Sequence, residues 1–225
     1  MEEKELTHKF PEWVLSYSLQ KAYEQKLNFW KEFREKDVHL TNKPNSPQKF
    51  SDLFPSLTES PKLICDKPFK EKDYERYGIE KEIFKNKFWS LRPDFIIENE
   101  EQSLIILLDA KSGEPKPVNK IYTVPKNTKP KEKLYYEFVL KCTTFQQKGF
   151  FYIIPKTHIE SCKILLQEHF KPQTMLQTGF FLWEDLLSII YEKILETVVE
   201  VVSKEMNGLQ ELREWRKNIE RKIEK

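Results

Sequence analysis

The run Leu104–Leu108, inside the segment SLIILLD (Ser103–Asp109), is apolar at every position, and it constrains the fold more than any other stretch. A strand with one wet face alternates apolar and polar residues, whereas a strand that is apolar throughout has to be covered on both faces. Helices are therefore expected on both sides of a sheet. The expected class is α/β, with a central mixed β-sheet flanked by helices and with helical N- and C-terminal extensions. A chain of 225 residues suffices for one such domain with a sizeable core.

Periodicity and turn residues predict the other elements. Pro11, with Trp13, Tyr17, Tyr23, Leu27, Trp30 and Phe33 near helical spacing, predicts a helix to about Lys36 whose aromatics face the core. Five prolines over 41–68 predict an excursion without regular structure, followed by a short helix over 69–77 that ends at Gly78. Strands are expected at Ile79–Phe84, Phe88–Ile97 and Ser103–Asp109, with hairpin-length connections. Then come a lysine- and proline-rich loop over Gly113–Lys131, a helix over Glu132–Gln147 and a strand over Phe150–Ile154. A helix over Thr157–Phe170, capped by Thr157, and a strand over Met175–Leu182 complete the sheet. Trp183, Leu187, Ile190, Ile194, Val198 and Val201 mark a long amphipathic helix that Asn207-Gly208 breaks. Leu209, Leu212, Trp215, Ile219 and Ile223 stripe a last helix, which packs on its own domain or makes a homodimer. The expected organisation is one domain over 1–225: a helical part at 1–40, the excursion at 41–68, a catalytic core at 69–182 and C-terminal helices at 183–225.

Several function classes fall away. No apolar run approaches the ~18 residues of a membrane span, and MEEKELTHKF lacks the apolar core of a signal peptide. Cys65, Cys142 and Cys162 are odd in number and widely spaced, which argues against a disulfide framework or a cysteine-based zinc site and fits a reducing cytoplasm. His8, His39, His158 and His169 show no zinc-binding spacing, and the five glycines form no phosphate-cradling loop. Net charge is only +2, yet residues 111–148 carry 9 lysines against 3 acids, a local strip able to steer a polyanion.

Two short motifs carry the chemistry: Arg92-Pro93-Asp94 within one apolar strand, and Asp109-Ala110-Lys111 ending the next. Charges at the end of a buried strand are costly unless solvated, paired or bound to a metal. With Ile97 facing Leu104 in an antiparallel hairpin, Asp94 faces Leu107, and Asp109 is its diagonal neighbour on the same face, ~7–8 Å away. Lys111, two residues on, points the same way. A register shifted by one residue would put the two carboxylates on opposite faces, so the idea fixes register parity.

With Pro93-Asp94 and Asp109-x-Lys111 on hairpin strands, a following helix and a further strand, the chain resembles the PD-(D/E)XK nuclease superfamily of restriction-endonuclease-like fold over roughly residues 75–182. The resemblance implies that Asp94 and Asp109, with the carbonyl of Ala110, hold Mg²⁺, for which Mn²⁺ substitutes. It implies that Lys111 orients the attacking water and stabilises developing charge. The superfamily's third acid stays open among Glu24, Glu71, Glu75, Glu80 and Glu82. The implied function is a Mg²⁺-dependent DNA endonuclease of restriction-modification, defence or mobile-element type. The alternatives are an RNA or branched-DNA nuclease of the same fold, and a non-catalytic nucleic-acid-binding scaffold. Lys116, Lys120, Lys126, Lys129, Lys131 and Lys133 follow Lys111 on the proline-rich segment and are expected to contact phosphates.

Overall fold

A computed structural model describes residues 3–55, 57, 61–89, 91–111, 131–170, 176–200 and 203–204, with side chains from residue 14 onward except at 131 and 132. In chain order the elements are α1 (Glu3–Gln25), α2 (Phe29–Arg34), β1 (Asp37–Leu40), β2 (Lys43–Lys49), α3 (Phe50–Leu53), β3 (Lys62–Cys65), α4 (Asp73–Tyr77) and α5 (Lys81–Lys87). They continue with β4 (Phe95–Asn99), β5 (Leu104–Ala110), α6 (Lys131–Lys141), β6 (Gln147–Ile154), α7 (Ile159–His169), β7 (Leu176–Leu182) and α8 (183–200).

The seven strands among the described residues lie in one mixed sheet of order β2-β1-β7-β6-β5-β4-β3. The β5/β6 and β6/β7 pairs are parallel, and the other neighbours are antiparallel. β5 is buried at all seven residues, as its composition requires. Ile105 and Leu107 face a layer built by α4 to α7, through Tyr77, Phe84, Phe138, Val139, Leu165 and Leu166. Leu104, Ile106 and Leu108 face a layer built by α1, α2, α3 and α8, through Leu19, Ala22, Phe33, Phe50, Leu186 and Ile190. The architecture is thus helices on both faces of a mixed sheet. The two parallel crossovers run the same way along the sheet, and α6 and α7 lie on one face, as a single handedness demands. Among the described residues no helix is long and apolar enough to cross a membrane.

Several elements differ from the sequence expectation. The first helix starts at Glu3 rather than Pro11, and residues 26–28 separate it from α2. Trp30 and Phe33 are buried, but Leu27 of the expected core stripe is fully exposed, because it sits in that break. The proline-rich stretch 41–68 is not irregular: it contributes β2, α3 and β3. Pro44 and Pro47 are accommodated because β2 is the edge strand of the described sheet and, among the described residues, pairs only with β1. Ile79–Phe84 is not a strand, since most of it lies in α5. Ile83, Phe84 and Phe88 sit at helical rather than alternating spacing, with Phe84 and Phe88 buried. Strand β4 begins at Phe95 rather than Phe88, and Pro93, which has no N–H to give a ladder, lies just outside it. α6 ends at Lys141 rather than Gln147, and α7 starts after a 3-10 turn, without a Thr157 side-chain cap. The expected helix over 209–223 lies outside the described residues.

Two glycines are needed where they stand. Gly78 ends α4 in the left-handed region at φ 61°. At Gly179 an added Cβ would sit 2.2 Å from the carbonyl oxygen of His39, so the pairing of β1 with β7 tolerates no side chain there.

Candidate active site

The geometry of the site follows from the β4/β5 register. The ladder pairs Ile97 with Ile106, Ile96 with Leu107 and Phe95 with Leu108. Continued one residue past that last pair, the same register sets Asp94 against Asp109. It differs from the expected register by two residues and has the same parity, so the two carboxylates belong to one face, directly across rather than on the diagonal. The cause is the turn: β4 runs on to Asn99, whose Oδ1 accepts the Gln102 N–H at 3.1 Å, and Ser103 closes a four-residue loop at φ 52°. The two carboxylates share the sheet face of Ile96, Ile105 and Leu107.

Three backbone contacts hold this end of the hairpin. Asp94 Oδ2 accepts the N–H of Ala110 at 2.7 Å, so a side chain takes over where the β4 ladder stops. The carbonyl of Asp94 accepts the N–H of Asp66 at 2.8 Å, which ties it to the chain leaving β3. The N–H of Lys111 donates to the carbonyl of Ile153 at 2.8 Å, extending the β5/β6 pairing by one residue. Beyond that point Trp183, which opens α8, donates its Nε1–H to the Lys111 carbonyl at 3.3 Å.

The charged groups are close and sheltered. Lys111 Nζ lies 2.9 Å from Asp109 Oδ2, and the Asp109 side chain is only 4% exposed against 26% for Lys111. An ion pair so shielded from water feels a low effective dielectric, which strengthens the coupling and fixes the ammonium. Near Asp94, burial foremost and then the negative charge of Glu24 push the Cys65 thiol up to about 12.

The donor set suits a hard cation. Two carboxylates on one face and a neighbouring carbonyl are all-oxygen ligands, and Mg²⁺ is commonly held by one or two carboxylates while it keeps several waters. Among the described residues, no group of three His, Cys, Asp or Glu side chains converges to hold a metal ion, so none of the five expected third acids completes the set. Glu71, Glu75, Glu80 and Glu82 are exposed on or beside α4 and α5. Glu24 belongs to α1, which packs on the other face of the sheet from Asp109, although its charge reaches Cys65.

Of the six lysines expected to contact phosphates, Lys116, Lys120, Lys126 and Lys129 lie outside the described residues, as does the side chain of Lys131. Lys133 is exposed in the first turn of α6, on a helix rather than a loop. Sequence reading did not find Trp183, Asp66 or Tyr135. Trp183 read only as the first apolar position of a helix, and an exposed aspartate after a short strand carries no local signal. Tyr135 donates its hydroxyl to the carbonyl of Arg92 at 2.8 Å, across 43 residues of chain.

No protein-family profile matches this chain, and no curated protein or solved structure matches it at a significant level.

Proposed function

We propose that this protein is a Mg²⁺-dependent nuclease of the PD-(D/E)XK type that hydrolyses phosphodiester bonds in DNA, in a restriction, defence or mobile-element setting. The observation that carries the reading is the meeting of the two motifs at one end of the β4/β5 hairpin: Asp94 Oδ2 accepts the N–H of Ala110 at 2.7 Å, and Lys111 pairs with Asp109 at 2.9 Å. The strand pattern supports it: three antiparallel strands, β3, β4 and β5, are followed by the parallel β6 and β7, with the two motifs at the adjoining ends of β4 and β5.

In this reading the chain's residues divide the work. Asp94 and Asp109, with the carbonyl of Ala110, hold the cation. A Mg²⁺ ion held there would supply Lewis-acid charge toward the scissile phosphate and would lower the pKa of a bound water. The Lys111 backbone is held at its N–H by Ile153 and at its carbonyl by Trp183, and its ammonium is paired with Asp109, so the charge is in place before substrate arrives. Such preorganised charge stabilises the pentavalent phosphate without reorganisation during the step. The near-complete burial of Asp109 keeps it from exchanging its partners for bulk water.

A second reading has its own support. The shielded Asp109–Lys111 ion pair would also suit a non-catalytic nucleic-acid-binding scaffold of the same fold. Incubation with Mg²⁺ and a panel of plasmid, single-stranded DNA, branched DNA and RNA separates the possibilities. The nuclease reading expects metal-dependent cleavage that D109N and K111A abolish. Binding without cleavage by wild type, unchanged by either substitution, would select the scaffold.

A further inference from the structure

We propose that Arg92 is a phosphate-binding fork, its guanidinium held ready by Asp66 to engage a backbone phosphate beside the scissile one. The inference rests on the nuclease reading and adds a substrate-binding residue to it.

Arg92 is well placed. It precedes Pro93, which biases its backbone to an extended conformation, and in an extended chain residue 92 shares the face of Asp94 at about 7 Å. Its carbonyl is fixed by Tyr135 and its neighbour Pro93 is buried, so the backbone is anchored while the side chain stands 57% exposed. Arginine is scarce in this chain, and Arg92 is the only exposed arginine among the described residues.

The hold on its head group is one-sided. Asp66 takes the Nε and Nη2 edge: Nε contacts Oδ1 at 2.6 Å and the Asp66 carbonyl at 3.1 Å, and Nη2 donates to Oδ2 at 2.7 Å. Nη1 makes no such contact among the described residues, which leaves that edge of the fork for a second anion. A planar guanidinium with five donors suits a phosphate in a way an ammonium does not. The Asp66–Arg92 pair is exposed on both sides, and ion pairs in water add little to stability. Asp66 sits at φ 45°, in the left-handed region that aspartate enters more readily than most residues. Its N–H on the Asp94 carbonyl and its carboxylate on Arg92 place the fork and the candidate metal ligand in one frame.

The test is a salt titration of binding to a 30-base-pair DNA duplex and to a single-stranded RNA of equal length, in Ca²⁺ to suppress cleavage. Losing one phosphate contact lowers the slope of log K against log salt by about 0.9 on duplex DNA or about 0.7 on a single strand. R92A is expected to show that drop. R92Q, which removes the charge with less loss of volume, is expected to show the same drop and serves if R92A is unstable. D66N tolerates the left-handed backbone, keeps the backbone carbonyl and an amide oxygen as acceptors that hold the fork, and removes a negative charge beside the phosphate, so it is expected to bind at least as tightly as wild type with an undiminished slope. If the pair only staples the loop, R92A and D66N would weaken binding alike or leave the slope unchanged, and the inference is overturned. A wild type that binds and cleaves while R92A and R92Q keep its slope overturns this inference alone. A wild type that neither binds nor cleaves any nucleic acid overturns the nuclease reading as well.

Discussion

The carboxylate of Asp94 accepts the backbone N–H of Ala110 at 2.7 Å, so one side chain both continues the β4/β5 ladder and stands opposite Asp109. Asp94 therefore has a structural duty besides any catalytic one, and substitutions can separate the two.

D94A and D94N should both lose metal-dependent cleavage, but only D94A should lose much stability. Alanine leaves the N–H of the buried Ala110 without its acceptor, at a cost of about 1–3 kcal/mol, whereas the asparagine amide oxygen retains one. Denaturant unfolding of the two variants in the absence of metal checks this. Equal stability of D94A and wild type would show that the Ala110 contact carries no weight.

Under the proposed nuclease reading, Trp183 positions Lys111 through its backbone carbonyl. W183F keeps an aromatic ring in the core but deletes the N–H that donates to the Lys111 carbonyl. The expected stability loss is about 1 kcal/mol. The turnover number should fall more than KM changes, because an ammonium aimed at the reacting phosphate matters most in the transition state. A rise in KM with unchanged turnover would contradict that role.

At the other end of β4, Glu98 is 2% exposed, receives the Tyr77 hydroxyl at 2.6 Å and pairs with Arg76. Burial foremost raises its pKa, against the opposing pull of Tyr77 and Arg76. R76M removes one of those stabilisers and should cost about 2–3 kcal/mol near pH 7.5, the lower side for a buried pair because Arg76 is partly exposed. The folded state then binds the Glu98 proton more tightly than the unfolded state. That contribution is present below the ordinary carboxylate range and is lost as pH rises through the folded pKa. The gap between wild type and R76M should therefore be smaller at pH 5 than at pH 7.5, as read by denaturant unfolding. A pH-independent gap would mean that Glu98 stays charged in both proteins.

The three thiols should be nearly inert to alkylation in the folded protein. Cys142 and Cys162 are fully buried, and the partly exposed Cys65 has its thiol pushed up to about 12. At pH 8 its thiolate fraction is then about three orders of magnitude below that of an ordinary cysteine with pKa ≈ 8.5. Iodoacetamide labelling followed by intact mass should give an unmodified native protein and three additions after denaturation. Rapid labelling of Cys65 in native protein would show that neither burial nor the Glu24 charge protects it.

The sequence by itself determined the properties that depend on period and local chemistry. The run Leu104–Leu108 dictated a strand covered on both faces, and hence two helical layers. The spacing of Asp94, Asp109 and Lys111 along their strands restricted the pairing to one parity if both carboxylates were to share a face, and the observed ladder has that parity. Tertiary structure decided the rest, because the deciding contacts join residues far apart in the chain. Glu98 reads as a turn residue until Arg76 and Tyr77 from α4 make its burial tolerable, and that lengthens β4 and moves the register by two. Pro44 and Pro47 argue against a strand until β1 leaves β2 at the sheet edge, where a missing N–H costs little. Ile79–Phe84 looks like a strand until Phe84 and Phe88 find Phe69 and Phe138 across the layer. The frame around the candidate site comes from Asp66, Tyr135 and Trp183, which lie 28, 43 and 72 residues from the groups they hold: Asp94, Arg92 and Lys111. Local periodicity records which face a side chain takes, but the partner that fixes it is chosen only when distant segments pack together.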